Sequence, residues 1–234
     1  WELATTSPTD LGIRAVQEAL DKAGVSIDDV GMLLADTATP RQTCPSEAQR
    51  IVNGFGVKIP AFDLVGALGA VPLLFSTCLK RASIPNDKLI VVVTTNTPSQ
   101  QIHYGAAGVE CGLLGDSAVA FVLSAHEGAK GRMLREAAVK RRISGKTPFS
   151  IRRHISLREE AVLSEVELRE CVVALLQDMD RLDSALRGAA VIIPPQLYAS
   201  EATEILVAEG IALDRILSAV QDGGFSFGSS CGVA

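Results

Sequence analysis

Five cysteines and three histidines are the residues of this chain best suited to nucleophilic or acid–base chemistry. Cys44, Cys78, Cys111, Cys171 and Cys231 are odd in number, form no Cys-x-x-Cys pair and mostly sit inside apolar segments. They read as reduced thiols, neither a disulfide framework nor a zinc site. Cys78 falls within an apolar run and reads as a core thiol. Cys111 precedes a Gly-Asp turn, where core packing and pocket lining both remain open. His103 lies in a polar segment with Tyr104, and His126 and His154 flank a basic stretch. None stands beside a nucleophile in sequence, and such histidines more often satisfy surface or core polarity than act as bases. Gly66-Ala67-Leu68-Gly69 lacks the spacing and lysine of a Walker motif and the third glycine of a dinucleotide fingerprint. No cofactor and no metal is expected.

The elements that would position these groups alternate along the chain. Ser7, Pro8 and Asp10 give an N-cap, a first-turn proline and an early acid, and Ile13, Val16, Leu20 and Ala23 recur at helical spacing until Gly24. Val30 to Ala35 predicts a strand, and Pro45 is expected to start a helix presenting Ala48, Ile51, Val52 and Phe55. Ala61 to Val65 predicts a strand leading into Gly66-Ala67-Leu68-Gly69. The helix that follows, over 68–82, is apolar on nearly every side, which predicts burial at the centre. Leu89 to Val93 is continuous and β-branched, as a parallel strand covered on both faces would be. This strand is expected beside Ala61 to Val65, with both buried. Ser117 to Leu123 predicts a further strand.

Residues 126–160 are crowded with cations and read as a basic linker between an N-terminal half, 1–125, and a shortened C-terminal half, 161–234. In the second half, Ser164 and Glu167 form a capping box for a helix carrying Leu168, Val172, Leu175, Met179 and Leu182. Ala190 to Ile193 predicts a strand, Ser200 a cap for the next helix, and Ile216 to Val220 a last strand. Helix and strand alternate in both halves, which is an α/β pattern.

The 234 residues are 47% hydrophobic and 4% aromatic, so the core is large and aliphatic. A formal charge of −5 gives no overall attraction to nucleic acid or an anionic membrane. No apolar run reaches the roughly 18 residues of a membrane span. The chain opens at Trp1 without a signal peptide or basic leader, and a cytoplasmic location is expected.

Several stretches, in order, resemble ketoacyl-ACP synthase III. They are Ala38-Thr39-Pro40 with Pro45-Ser46, then Pro60-Ala61-Phe62-Asp63-Leu64, then Leu114-Gly115-Asp116-Ser117-Ala118-Val119-Ala120. Val191-Ile192-Ile193-Pro194-Pro195-Gln196 follows, and Gly223-Gly224-Phe225-Ser226-Phe227-Gly228-Ser229 closes the set. The resemblance implies a thiolase-like αβαβα layered fold made of two similar halves, and a dimer. It also implies a catalytic cysteine at the amino end of a buried helix, where the dipole and free amides stabilise thiolate. The register puts Leu68 there, and Leu68 cannot form a thioester. The family's histidine falls on Pro195, and its asparagine segment has no counterpart.

What the resemblance implies is therefore a 3-oxoacyl-ACP synthase III-like protein of fatty-acid or polyketide biosynthesis, catalytically silent, paired with an active homologue. The alternatives are an acyltransferase or thioesterase using a non-standard nucleophile such as Cys111, and a homodimer that only binds acyl-CoA or an acyl carrier. Cys44 is expected to line the partner's acyl pocket, with Cys111, Gly223, Gly224 and Phe225 as further pocket residues. Arg132, Arg135, Lys140, Arg141 and Arg142 form a candidate dock for an acidic acyl carrier protein or coenzyme A phosphates, against the plainer reading of a solvated basic linker.

Overall fold

The computed structural model describes residues 6–66, 69–79, 88–101, 114–124, 149–151, 157–159, 165–182, 191–194, 196–218, 224–226 and 229. Two compact units are present, and each is built around its own core.

In the first unit, α1 (Pro8–Ala23) starts where the sequence places it. Ser7 and Asp10 form a reciprocal capping box, and Gly24 ends the helix at φ 67°, a conformation open to glycine because it has no Cβ. β1 (Val30–Asp36), α2 (Glu47–Gly54), β2 (Ala61–Asp63), α3 (Ala70–Leu79), β3 (Leu89–Asn96) and β4 (Ser117–Leu123) follow. The sheet order is β2-β1-β3-β4. β1 runs parallel to both β2 and β3, and β4 is antiparallel to β3.

Side chains alternate across this sheet, so the continuous apolar runs of β1 and β3 feed two layers. Leu33, Val91 and Val93 pack with Val16 and Leu20 of α1 and Ile51 of α2. Leu34, Ile90 and Val92 face the other way, onto Leu74 and Cys78 of α3. Phe75 meets Phe121 of β4 edge to face, with ring centroids 5.1 Å apart.

Four expectations for this unit need correcting. β1 lies between β2 and β3, so the Ala61 and Leu89 strands are not neighbours: β1 is the strand apolar enough to be enclosed by a parallel partner on each side. β2 is a three-residue edge strand, and Phe62 is 57% exposed. α2 begins at Glu47 because Ser46, rather than Pro45, supplies the capping oxygen, to the Gln49 amide. α3 is buried along one face only: Leu74 and Cys78 are buried, Phe75 is half-buried, and Pro72 and Thr77 are exposed.

In the second unit, β5 (Phe149–Ile151) pairs antiparallel with β6 (Leu157–Glu159), and α4 (Glu165–Leu182) packs with α5 (Ala199–Ala208). Leu168, Val172 and Leu176 of α4 join Ile205, Leu206 and Ile211 in its core. The buried stripe runs at intervals of four, so Leu176 takes the place expected of Leu175, which is exposed. Ser200 lies inside α5 rather than capping it, and Tyr198 at the N-cap makes no side-chain capping bond. The two strands expected near 190 and 216 are represented among the described residues by a parallel bridge between Ile192 and Ile216. Ser164 lies outside the described residues.

Candidate functional site

The carboxyl ends of β1 and β3 carry a buried polar cluster. Asp36 ends β1 and Thr37 and Thr39 follow it, while Thr94 and Asn96 close β3 and Thr97 follows; all are buried. In open α/β sheets ligands bind beyond these strand ends. The Asn96 Oδ1 accepts the Ala38 amide at 2.8 Å, and its Nδ2 donates to the Ser229 hydroxyl oxygen at 2.9 Å. The Thr94 hydroxyl donates to the same Ser229 oxygen at 3.2 Å, and the Thr97 amide donates to the Thr39 Oγ1 at 2.8 Å. One asparagine thus ties the end of β1, the end of β3 and residue 229 of the glycine-rich closing stretch.

The turn into α3 is held by the same cluster. The Gly66 amide donates to the Asp36 Oδ1 at 2.7 Å, and the Gly69 amide donates to the Gly66 carbonyl at 3.0 Å. A Cβ on Gly66 would stand 2.8 Å from the Ala70 Cα, so glycine is what lets the backbone double back here. Gly69 stands directly before the first residue of α3, and a helix start of this kind leaves its leading amides free.

Cys44 is exposed and has a free thiol, two residues before the Ser46 cap of α2. Asp63, at the end of β2, accepts the Glu47 and Ala48 amides at 2.9 and 2.8 Å. Its carboxylate satisfies two orphan donors and complements the helix dipole. Asp63 thereby fixes the start of α2, three residues after Cys44.

Glu47 itself is buried to 1% exposure. The Thr9 hydroxyl of α1 donates to its Oε1 and in turn accepts the Arg50 Nε at 3.1 Å, while Oε2 has no hydrogen-bond partner. Burial raises the pKa of this carboxyl above the ordinary 4.5; the Thr9 bond and Arg50 oppose the shift, and Asp63 and Asp10 reinforce it. The folded chain therefore holds the Glu47 proton more tightly than the unfolded chain. Stability from this group is complete below the unfolded value and is lost as pH rises through the folded one. Urea unfolding of wild type and Glu47→Gln across that range should show the decline in wild type and its flattening in the variant. Equal slopes would mean that Glu47 does not titrate differently on folding.

Of the residues singled out from the sequence, the structure places Cys44 on the surface. Gly224 has φ 72°, and Phe225 is 2% exposed and bridged to Leu114 in the second unit. Leu68, Pro195, Cys111, Gly223, Arg132, Arg135, Lys140, Arg141 and Arg142 lie outside the described residues, as do the three histidines. Among the described residues no group of His, Cys, Asp or Glu side chains is placed to hold a metal ion, and no helix is long and apolar enough to cross a membrane. Sequence reasoning missed Asp36, Asn96 and Ser229. Their common signal was a polar residue closing an apolar strand, or, for Ser229, following a glycine turn.

No family model matches the chain. Curated relatives do, among them two described as beta-ketoacyl-[acyl-carrier-protein] synthase III. One, from Oleidesulfovibrio alaskensis, is 32% identical over 123 residues, 52% of this chain and 36% of the relative. The other, from Clostridium perfringens, is 24% identical over 97% of this chain and 74% of its own length. The stretch matched at the higher identity thus spans about a third of that relative, 36%. Among solved structures, 3-oxoacyl-(acyl carrier protein) synthase III of Pseudomonas aeruginosa superposes with a TM-score of 0.75 at 17% identity, over 98% of this chain and 73% of that one. OleA of Xanthomonas campestris, solved with lauric acid and lauroyl-CoA, gives 0.77 at 14% identity over 100% and 74%.

The chain has the thiolase fold and is similar in sequence to synthase III. AbyA1, a tetronic acid condensing enzyme, has the same architecture, with a TM-score of 0.69 at 22% identity over 97% of this chain and 72% of that one. Within that fold the synthase-III-like chain offers a helix start at position 70, a glycine turn before it and a buried polar brace behind it.

Proposed function

We propose that this chain is a condensing-enzyme relative of fatty-acid or polyketide biosynthesis that has lost its own condensing chemistry and pairs with an intact homologue, whose acyl pocket it helps to line. The observation that carries this reading is Leu68 itself, the residue that the order of the family-like motifs puts where the cysteine belongs. A hydrocarbon side chain has no lone pair to attack a thioester, and Pro195 has no side-chain donor or acceptor for a carbonyl oxygen.

The pairing half of the reading rests on the β2 edge. Phe62 and Val65 are 57% and 66% exposed, and Phe62 borders a depression whose walls include Val52, Asn53 and Ile59. Exposed apolar surface at a short edge strand marks an interaction site. Gln49, Val52 and Asn53 of α2 contribute to the same depression. In this reading the cations from Arg132 to Arg142 meet an acidic carrier protein.

The test is intact mass spectrometry of the purified chain after incubation with acyl-CoA, together with identification of any co-purifying homologue. No covalent increment and a partner with a complete Cys-His-Asn set are expected. An acyl increment on any cysteine would overturn the silent-subunit reading in favour of a non-standard nucleophile, Cys111 among the candidates. A homodimer alone would favour an acyl-binding role.

A further inference from the structure

α1 and α2 lie side by side and run the same way: Thr9 meets Glu47 and Arg50, Gly12 lies against Ile51, and Ile13 against Gly54. A Cβ on Gly12 would stand 2.7 Å from the Ile51 Cδ1, so from this point onward the two helices are locked by shape. Their first turns are joined by polar groups instead. The Thr9 hydroxyl donates to the Glu47 Oε1 and accepts the Arg50 Nε at 3.1 Å.

Both helix starts have acids of their own. Asp10 completes the cap of α1 with Ser7, and Asp63 accepts the Glu47 and Ala48 amides of α2, so the positive ends of the two dipoles are already matched. Glu47 is a further carboxyl between them, 1% exposed, with Oε2 unpaired. The cation facing it, Arg50, is committed through Nε to the Thr9 hydroxyl. β1, which also packs on α2, has Asp36 as its one titratable group, engaged at the Gly66 amide. A neutral carboxylic acid suits this position, because a buried oxygen without a donor costs far more when it carries charge.

The start of α1 is anchored on the sheet, where the Thr95 hydroxyl of β3 donates to the Pro8 carbonyl at 2.7 Å. The start of α2 is held from the surface: residues 41–45 before it are exposed, and so is Asp63, at the end of an edge strand. We propose that Glu47 is a proton-operated latch on the start of α2. With the carboxyl protonated, the first turn of α2 stays docked on Thr9. Once the proton has passed to water, the charged group draws that turn and the 41–46 segment away from α1 into solvent, while the sheet and the contact at Gly12 stay formed. The upward shift that burial imposes on the Glu47 pKa gives the direction: docking is complete at low pH and weakens as pH rises through the raised value. Cys44 lies in the segment that moves, so its presentation follows the state of Glu47.

The test is residue-resolved amide hydrogen exchange by NMR, each rate being referred to the intrinsic rate at the same pH. Protection of the Ala48 to Arg50 amides should fall as pH rises, by about tenfold per pH unit between the ordinary glutamate value and the raised one, and should stay below that of Val91 to Val93 throughout. In Glu47→Gln, which keeps the volume and cannot ionise, it should be flat. In Thr9→Val the fall should move to higher pH, because the lost hydroxyl bond favoured the charged carboxyl. A wild type without the fall would overturn the proposal, as would a folded Glu47→Gln that keeps it. Protection equal to that of Val91 to Val93 would overturn it too, since the start of α2 would then open only with the whole sheet. If Glu47→Gln loses its helical circular dichroism, Thr9→Val decides alone, and a fall that does not move sinks the latch.

Discussion

Leu68→Cys is expected to yield a thiol that alkylates quickly without yielding a condensing enzyme. The motif register puts position 68 just ahead of α3, which begins at Ala70, and the amides and dipole of a helix start favour thiolate over thiol. Iodoacetamide labelling should therefore proceed faster than for a free cysteine at neutral pH and hold its rate to lower pH. Condensation with a malonyl donor should stay undetectable, because Pro195 cannot act as the histidine. Each missing donor to the thioester oxygen costs about a hundredfold to a thousandfold in rate. A cysteine at 68 that labels no faster than free thiol would show that this turn is not the nucleophile slot. Efficient condensation would show that other groups complete the machinery.

Asn96→Ala should be among the most destabilising single changes in the first unit. Asn96 is fully buried, and its loss leaves the Ala38 amide without its acceptor and takes the Nδ2 donor from the Ser229 hydroxyl. Leaving such groups unsatisfied costs about 1–3 kcal/mol each, so a loss of about 2–4 kcal/mol in urea unfolding is expected. Because Asn96 and Ser229 share one network, Asn96→Ala and Ser229→Ala combined should cost less than the sum of the two alone. Additive losses would mean that the 2.9 Å contact between them contributes nothing of its own.

The parts of the fold legible in the sequence were those specified within a few residues. Ser7, Pro8 and Gly24 delimit α1 because capping chemistry is local, and the unbroken run of β3 announces a strand covered on both faces. The sheet order was not legible. Which two strands flank β1 depends on how α2 and α3 cross over, and β2 and β3 carry similar apolar signals although only β3 is enclosed. Leu175 and Leu176 are adjacent leucines on one helix, and only the position of α5 decides which is buried.

Motif order alone puts Leu68 in the family's cysteine position, through the flanking Phe62-Asp63 and Gly66-Gly69 segments, and that residue lies outside the described ones. The brace at the strand ends joins Asn96 to Ser229 across 133 positions, and no periodicity encodes that pairing. Glu47 misleads for a different reason: an acid in the first turn of a helix ordinarily reads as a solvated partner of the dipole, and here α1 covers it.

The pairing of β1 with β3 also governs when this sheet can form. Val30 pairs with Leu89 and Asp36 with Thr94, so the ladder cannot begin until α2, β2 and α3 have all emerged between them. Closing so long a segment costs chain entropy before any long-range contact offsets it, and parallel pairing of this kind is intrinsically slow. During synthesis the apolar faces of α1 and β1 must therefore wait, without a sheet to cover them, until β3 leaves the ribosome. That interval exposes the nascent chain to aggregation and to capture by chaperones.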